Sequence, residues 1–135
     1  VERSRGLGDV YKRQAQGLMG KNLLAAGVKD TYNFGPVLIK DGEAQLPWAE
    51  TEKYYPRTAV GMVKPNDYVL LVTDTGSYNG LNHWDMVNIF KSYGCTYAYN
   101  LDGGGSATLY FNGKVMNKLI GNTQRPCADF LYFTR

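Results

Sequence analysis

The apolar and polar positions are most sharply patterned between Pro56 and Phe111. Thr58-Ala59-Val60-Gly61-Met62-Val63 predicts a strand and Pro65-Asn66-Asp67 a turn. Tyr68-Val69-Leu70-Leu71-Val72-Thr73-Asp74 predicts a second strand, and its nearly continuous apolar run predicts burial on both faces. Thr75 to Leu81, rich in Gly, Ser and Asn, reads as a loop. Asn82 then offers a helix N-cap, Asp85 suits the first turn, and Gly94 ends the helix. Trp84, Val87 and Phe90, with Met86 and Ile89 further round, supply its apolar stripe. Thr96 to Tyr99 and Ala107 to Phe111 are β-prone segments on either side of a glycine run. Asn112-Gly113 is a hairpin turn, after which Lys114 to Asn117 returns. Cys127 to Phe133 is expected to close the chain as a strand. Upstream, Gly17 to Ala26 reads as a short helix, with Leu18, Leu23 and Leu24 on one side and Gly27 as its stop. Val37-Leu38-Ile39-Lys40 is a strand, Asp41-Gly42 a hairpin-type turn, and Ala44 to Tyr55 an irregular surface loop. This order predicts an α+β fold, with a mixed, mostly antiparallel sheet and one main helix packed across it.

Composition narrows the function classes. A chain of 135 residues suits one domain, and 16 Gly with 11 Tyr favour strands and turns over a helical bundle. The formal charge is +3, with no dense Lys/Arg stripe, which argues against nucleic acid as a partner. No apolar run approaches the roughly 20 residues a membrane helix needs. Cys95 and Cys127 are too far apart for a Cys-x-x-Cys pair, and His83 is the single histidine, so a structural zinc site is not expected. Two buried free thiols are the expectation, with a disulfide as the alternative.

Residues 1–14 have no hydrophobic period and resemble a stretch found at the ends of conceptual translations from assembled metagenomic reads. They are expected to be an artefact or a disordered arm, leaving residues 15–135 as the domain. Four of the 15 basic and two of the 12 acidic residues lie in that segment, so the remainder carries a net charge of only +1.

The chemistry concentrates in Asn100-Leu101-Asp102-Gly103-Gly104-Gly105-Ser106. Three consecutive glycines cost backbone entropy and mark a sharp turn or a close approach. Amides from Gly103 to Ser106 can form an anion cradle, with the Ser106 hydroxyl as a further donor. The Asp102 carboxylate suits general acid/base work or a sugar hydroxyl. A lone Asp-Gly would be only a turn, and the glycine spacing is not a dinucleotide fingerprint. Arg57, between Pro56 and Thr58, and Arg125, before Pro126, are held beside prolines at predicted strand starts, which suits bidentate recognition of phosphate or carboxylate. For either arginine alone a solvated charge is the commoner outcome. Asp74 ends the most apolar strand, where it serves a cleft or caps an Asx-turn. Asp129, in an apolar run, needs a partner such as arginine or an outward face. His83, at the helix start, reads as a surface residue rather than a catalytic one.

Taken in order, Tyr55-Pro56-Arg57-Thr58-Ala59-Val60-Gly61, Leu71-Val72-Thr73-Asp74, Asn100 to Thr108 and Arg125-Pro126-Cys127-Ala128-Asp129 resemble the motifs of the phosphodiester glycosidase family. The resemblance covers residues 17 to 134. It departs from the family in having Asp74-Thr75-Gly76 where Asp-Gly-Arg is common, Cys127 where valine is common, and no upstream Asn-Gly-Gly-Phe-like motif. The chain therefore looks like the C-terminal part of such a domain.

The resemblance implies a hydrolase acting on the glycosidic bond of sugar-1-phosphodiesters, on bacterial exopolysaccharide or cell-surface glycans, in an extracellular or cell-envelope setting. Asp102 and Asp74 would be its catalytic carboxylates. Arg57, Thr58, Asn100, Gly103, Gly104, Gly105, Ser106, Arg125 and Asp129 would bind substrate, and no cofactor is implied. Two other readings stand beside it. One is a non-catalytic carbohydrate-binding or assembly module. The other is a metal-dependent phosphodiesterase with Asp74, Asp102 and Asn100 as oxygen ligands for a divalent cation.

Overall fold

The computed structural model describes residues 20–28, 34–46, 53–74 and 79–133. Expectations for residues 1–14, for Leu18 and for the loop centres 47–52 and 75–78 lie outside these described residues.

β-Branched and aromatic residues between tight turns build a five-stranded sheet from β1 (Val37–Lys40), β2 (Glu43–Ala44), β3 (Thr58–Lys64), β4 (Asp67–Val72) and β5 (Tyr97–Asn100). The spatial order is β2-β1-β5-β3-β4. Every pair is antiparallel, so the mixed sheet expected from sequence is corrected to a uniformly antiparallel one among the described residues. The β1–β2 hairpin turns at Asp41-Gly42, both at positive φ, as its sequence demands. The β3–β4 register pairs Ala59 with Leu71 and Gly61 with Val69, and β5 lies on the other side of β3 with Ala59 opposite Asn100.

Period-two alternation sorts β3 and β5 into two faces, while an irregularity in β1 between Val37 and Ile39 lets the adjacent Leu38 and Ile39 join one cluster. Leu38, Ile39, Ala59 and Ala98 pack with Met86, Val87 and Phe90 of the main helix, α2 (His83–Ser92), which follows the short α1 (Gly20–Ala25). Val60, Met62, Tyr97 and Tyr99 form a second cluster with Val37, Tyr68, Leu101 and Leu131. Helix and sheet approach closely at Gly61, where a Cβ would lie 2.5 Å from Phe90 Cδ1 and 2.8 Å from Cys95 Sγ. The result is an α+β fold dominated by its sheet.

The capping of α2 is as its sequence predicts. Asn82 accepts from the Asp85 amide at 2.8 Å, and the Asp85 carboxylate accepts from the Asn82 amide at 3.5 Å, a reciprocal capping box. The buried stripe differs. It runs His83, Met86, Val87, Phe90, and Trp84 is turned outward at 40% exposure.

Other expectations are corrected in the same way. Leu24 of α1 is exposed rather than facing a core. β4 is not buried on both faces; it is the edge of the sheet, and Leu70 is exposed. Ala107 to Phe111 is not one strand. A 3-10 turn (Gly104–Ser106) follows the glycines, and only Tyr110–Phe111 (β6) pairs with Lys114–Val115 (β7). The Asn117 side chain closes that hairpin, accepting from Leu109 N at 2.7 Å and donating to Ala107 O at 2.9 Å. Residues 127–133 carry no strand and are largely exposed, and among the described residues no strand pairs with them. Both cysteines are free. Cys95 is buried, which pushes its thiol pKa up, with Asp67 adding to the effect, whereas Cys127 is exposed, against the expectation of two buried thiols. No described helix is long and apolar enough to cross a membrane.

Candidate active site

The antiparallel order brings the start of β3, the ends of β4 and β5 and the first turn of α2 to one end of the sheet. Arg57 is fixed there by its neighbours. Its amide donates to Thr73 Oγ1 at 2.9 Å, and its carbonyl accepts from Thr73 N at 2.9 Å. Arg57 is 9% exposed, and its side chain is held by positioning bonds: Nε donates to Leu81 O at 3.2 Å and Nη2 to Lys53 O at 3.0 Å. The guanidinium carbon lies 5.2 Å from the Tyr55 ring centroid, within cation–π range. Leu81 and Tyr55 are themselves tied by two backbone bonds, Tyr55 N to Leu81 O at 3.3 Å and the return at 3.0 Å. The strand start, the loop before it and the entry to α2 therefore orient one guanidinium together.

Asn100 ends β5 and is wholly buried. Its backbone bonds Gly35 and Pro36, and its Nδ2 donates to Gly35 O at 2.7 Å. That bond fixes the amide plane and leaves Oδ1 as a buried acceptor with no hydrogen-bond partner among the described residues. Thr58 Oγ1, at the start of β3, is in the same condition. A buried acceptor without a donor is costly and invites a ligand hydroxyl or water.

The glycine run wraps over Pro56. Gly104 N donates to Pro56 O at 2.8 Å, and a Cβ on Gly103 would stand 2.5 Å from that same oxygen. Gly103 is thus required by close approach, and Gly104 by its φ of 56°. The amides are less available than the sequence suggests. Gly103 N donates to Asp102 Oδ1 at 2.8 Å, Gly104 N to Pro56 O, and Ser106 N to Gly103 O at 3.0 Å. The expected four-amide cradle is corrected accordingly: three of those amides are spent within the turn. The second Asp102 oxygen accepts from Arg125 Nη2 at 3.3 Å in an ion pair whose side chains are half exposed.

These residues enclose a cleft of about 410 Å³, within the range of small-molecule sites. Of the residues singled out from sequence, Arg57, Asn100, Asp102, Gly103 and Gly104 line it. Gly105 lies against the aliphatic part of Arg125, and Ser106 sits half-buried in the 3-10 turn. Thr58 lies one residue past Arg57 and outside the lining. Asp74 is exposed, one residue beyond Thr73 and so at the same end of the sheet, but is not part of the lining. Asp129 lies in the exposed C-terminal stretch, away from the lining. The cleft adds Lys53, Tyr55 and His83, which sequence reasoning did not select. His83 is 5% exposed, contrary to its reading as a surface residue. The signal for it was present: positions 83, 86, 87 and 90 follow the i, i+3, i+4, i+7 spacing of a buried helical face. Among the described residues no three His, Cys, Asp or Glu side chains cluster as a metal site.

The profile of the family described as Phosphodiester glycosidase matches residues 4–134, and the chain belongs to that family. It is 33% identical over 115 residues to the SPbeta prophage-derived uncharacterized protein YomE of Bacillus subtilis, covering 81% of this chain and 18% of that protein. It is 41% identical over 58 residues to the N-acetylglucosamine-1-phosphodiester alpha-N-acetylglucosaminidase of Mus musculus, covering 42% of this chain and 11% of the mouse protein. The chain thus spans under a fifth of the length of these relatives. A crystal structure of a hypothetical protein from Synechocystis shares the fold, with a TM-score of 0.54 at 23% identity over 65% of this chain and 18% of that one.

Proposed function

We propose that this cleft binds a sugar-1-phosphodiester and hydrolyses its anomeric C–O bond, with bacterial exopolysaccharide or cell-surface glycans as the substrate class and the cell envelope or its exterior as the setting. The observation that carries the reading is the buried Arg57 guanidinium, oriented by two carbonyls, in one cleft with Asp102 and Asn100. A phosphodiester carries one negative charge, which a fixed guanidinium meets without reorganisation at the moment of reaction. The Asn100 Oδ1 acceptor suits a sugar hydroxyl. Asp102 suits the proton from the attacking water, or a hydroxyl of an oxocarbenium-like sugar. Gly103 and Gly104 set the turn that presents Asp102.

The family's naming supports the reaction class. The test is an assay of the chain on a panel of sugar-1-phosphodiesters. Asp102→Asn is expected to lower turnover by about 10²-fold or more with the fold intact. Unchanged turnover removes Asp102 from the chemistry.

One observation favours a second reading. Among the described residues Asp102 is the single carboxylate in the cleft lining, and Asp74 lies outside it. A site that holds a phosphorylated glycan without cleaving it would need no second acid, and it would show saturable binding with no product.

A further inference from the structure

The chain's single histidine forms part of the cleft wall, and the reading above gives it no task. We propose that His83 is the proton donor to the departing phosphate, a role that rests on the glycosidase reading and deepens it.

The argument starts from charge. A phosphodiester carries one negative charge. When the anomeric C–O bond breaks, its electron pair stays on the phosphate oxygen, and the leaving monoester acquires a second charge. A phosphate monoester takes up a proton with a pKa of about 6. Arg57 is a permanent single cation, matched to the charge of the substrate. The charge that appears during the reaction needs a partner whose effect grows with it, since only that difference accelerates the step. Imidazole as a side-chain class titrates near pH 6.5, close to the leaving phosphate, where proton sharing is most effective.

The geometry places such a group well. His83 follows the N-cap Asn82, and Leu81 just before it holds Arg57 Nε. One short stretch, Leu81 to His83, thus carries the imidazole and holds the guanidinium, and both groups line the same cleft. Among the described residues, the charged or titratable groups facing that cleft from the other elements are Lys53, Tyr55 and Arg57 on the approach to β3 and Asp102 after β5. Asp85 lies on the histidine's own helix and is occupied by the capping box.

The step balances. Water oxygen bonds the anomeric carbon, and its proton passes to Asp102. The C–O pair goes to the phosphate oxygen, which takes the imidazolium proton. The products are a free sugar and a phosphate monoester, and His83 and Asp102 exchange protons with solvent to reset.

Because the histidine is unique, its imidazole proton resonance reports on it without assignment. The experiment titrates the wild-type chain by NMR from pH 5 to 8 alone, with methyl phosphate, and with dimethyl phosphate. Methyl phosphate is expected to raise the histidine midpoint by about 0.5–1 pH unit, and dimethyl phosphate to leave it nearly unchanged. Equal shifts with both, or none with either, overturn the proposal. On a sugar-1-phosphodiester, His83→Gln is expected to lower kcat about 10²-fold with KM within twofold, and to remove one limb of the pH profile. A variant that retains the limb, or loses KM alone, overturns it as well. Should His83→Gln not fold, the wild-type titration decides. If wild-type protein hydrolyses no diester in the panel, the glycosidase reading itself falls and takes the donor role with it, whatever the titration gives.

Discussion

Two arginines beside prolines look alike in this chain and end up in opposite situations. Arg57 follows Pro56 at the start of a central strand. It is buried, its side chain is held by two carbonyls, and it stands over an aromatic ring. Arg125 precedes Pro126 in a stretch without strands, and its guanidinium pairs with Asp102 in an ion pair more than half open to solvent on the arginine side. The dipeptide does not decide the outcome. What decides it is whether neighbouring elements close around the side chain. For Arg57 those elements are the residue just after β4 (Thr73), the loop through Lys53 and the entry to α2 through Leu81. The Arg125 side chain meets the glycine turn at Asp102 and Gly105. An exposed pair of this kind contributes little to stability, whereas an oriented, buried guanidinium is a preorganised binding group.

The sharpest way to break this contrast is to disturb the approach that shelters Arg57. Gly103→Val must push a side chain into Pro56 O, and is expected to cost about 3 kcal/mol or more in chemical denaturation. Gly104→Ala meets open space and pays only for its positive φ, about 1 kcal/mol. Equal costs at the two positions would show that the turn is not pressed against Pro56. Next in size is function. Arg57→Ala is expected to lower turnover on a sugar-1-phosphodiester by about 10²-fold. Arg125→Ala should change it by no more than about fivefold, since a surface pair is worth about 1 kcal/mol at most. Similar losses from both would erase the distinction drawn here.

The smallest effect lies away from both arginines. Tyr97 donates a hydrogen bond to Asp41, and this bond, with burial, pushes its pKa up to about 12. The folded phenol keeps its proton above the pH at which an unfolded tyrosine, near 10, loses it. This contribution is therefore complete below about pH 10 and is lost as pH rises from there towards 12. Tyr97→Phe should cost about 1–2 kcal/mol at neutral pH and flatten the decline of stability between pH 10 and 12. An unchanged alkaline slope would rule the bond out as its source.

Local chemistry made much of the molecule legible. Asn82 and Asp85 declared the helix cap, Asp41-Gly42 and Asn112-Gly113 the hairpins, and the apolar alternation β3 and β5. The Asn100 to Gly104 segment and Arg57 were marked as candidates by residue type and spacing, and they share a cleft. What stayed hidden depends on partners distant in sequence. An apolar run such as β4 reads as doubly buried, yet its exposure follows from a strand order that leaves it at the edge. Residues 127–133 are β-prone, but propensity without a ladder makes no strand. Asp74 had the right residue type at the right end of the sheet, but nothing in its local sequence says which way the chain turns after Thr73. His83 was missed for another reason: a polar residue at a helix start was judged singly, when its spacing from Met86, Val87 and Phe90 had already assigned it inward.

One vacancy in the interior governs distances at the rim. Gly61 supplies no side chain where Phe90 bears down on β3, and that omission sets the seating height of α2. The helix carries the imidazole at its leading end, while the guanidinium stands at the root of the strand beneath. The span between these two groups is thus machined by a core residue that touches neither of them. A single methyl at that spot would act as a shim, prising the walls apart without altering any side chain on them.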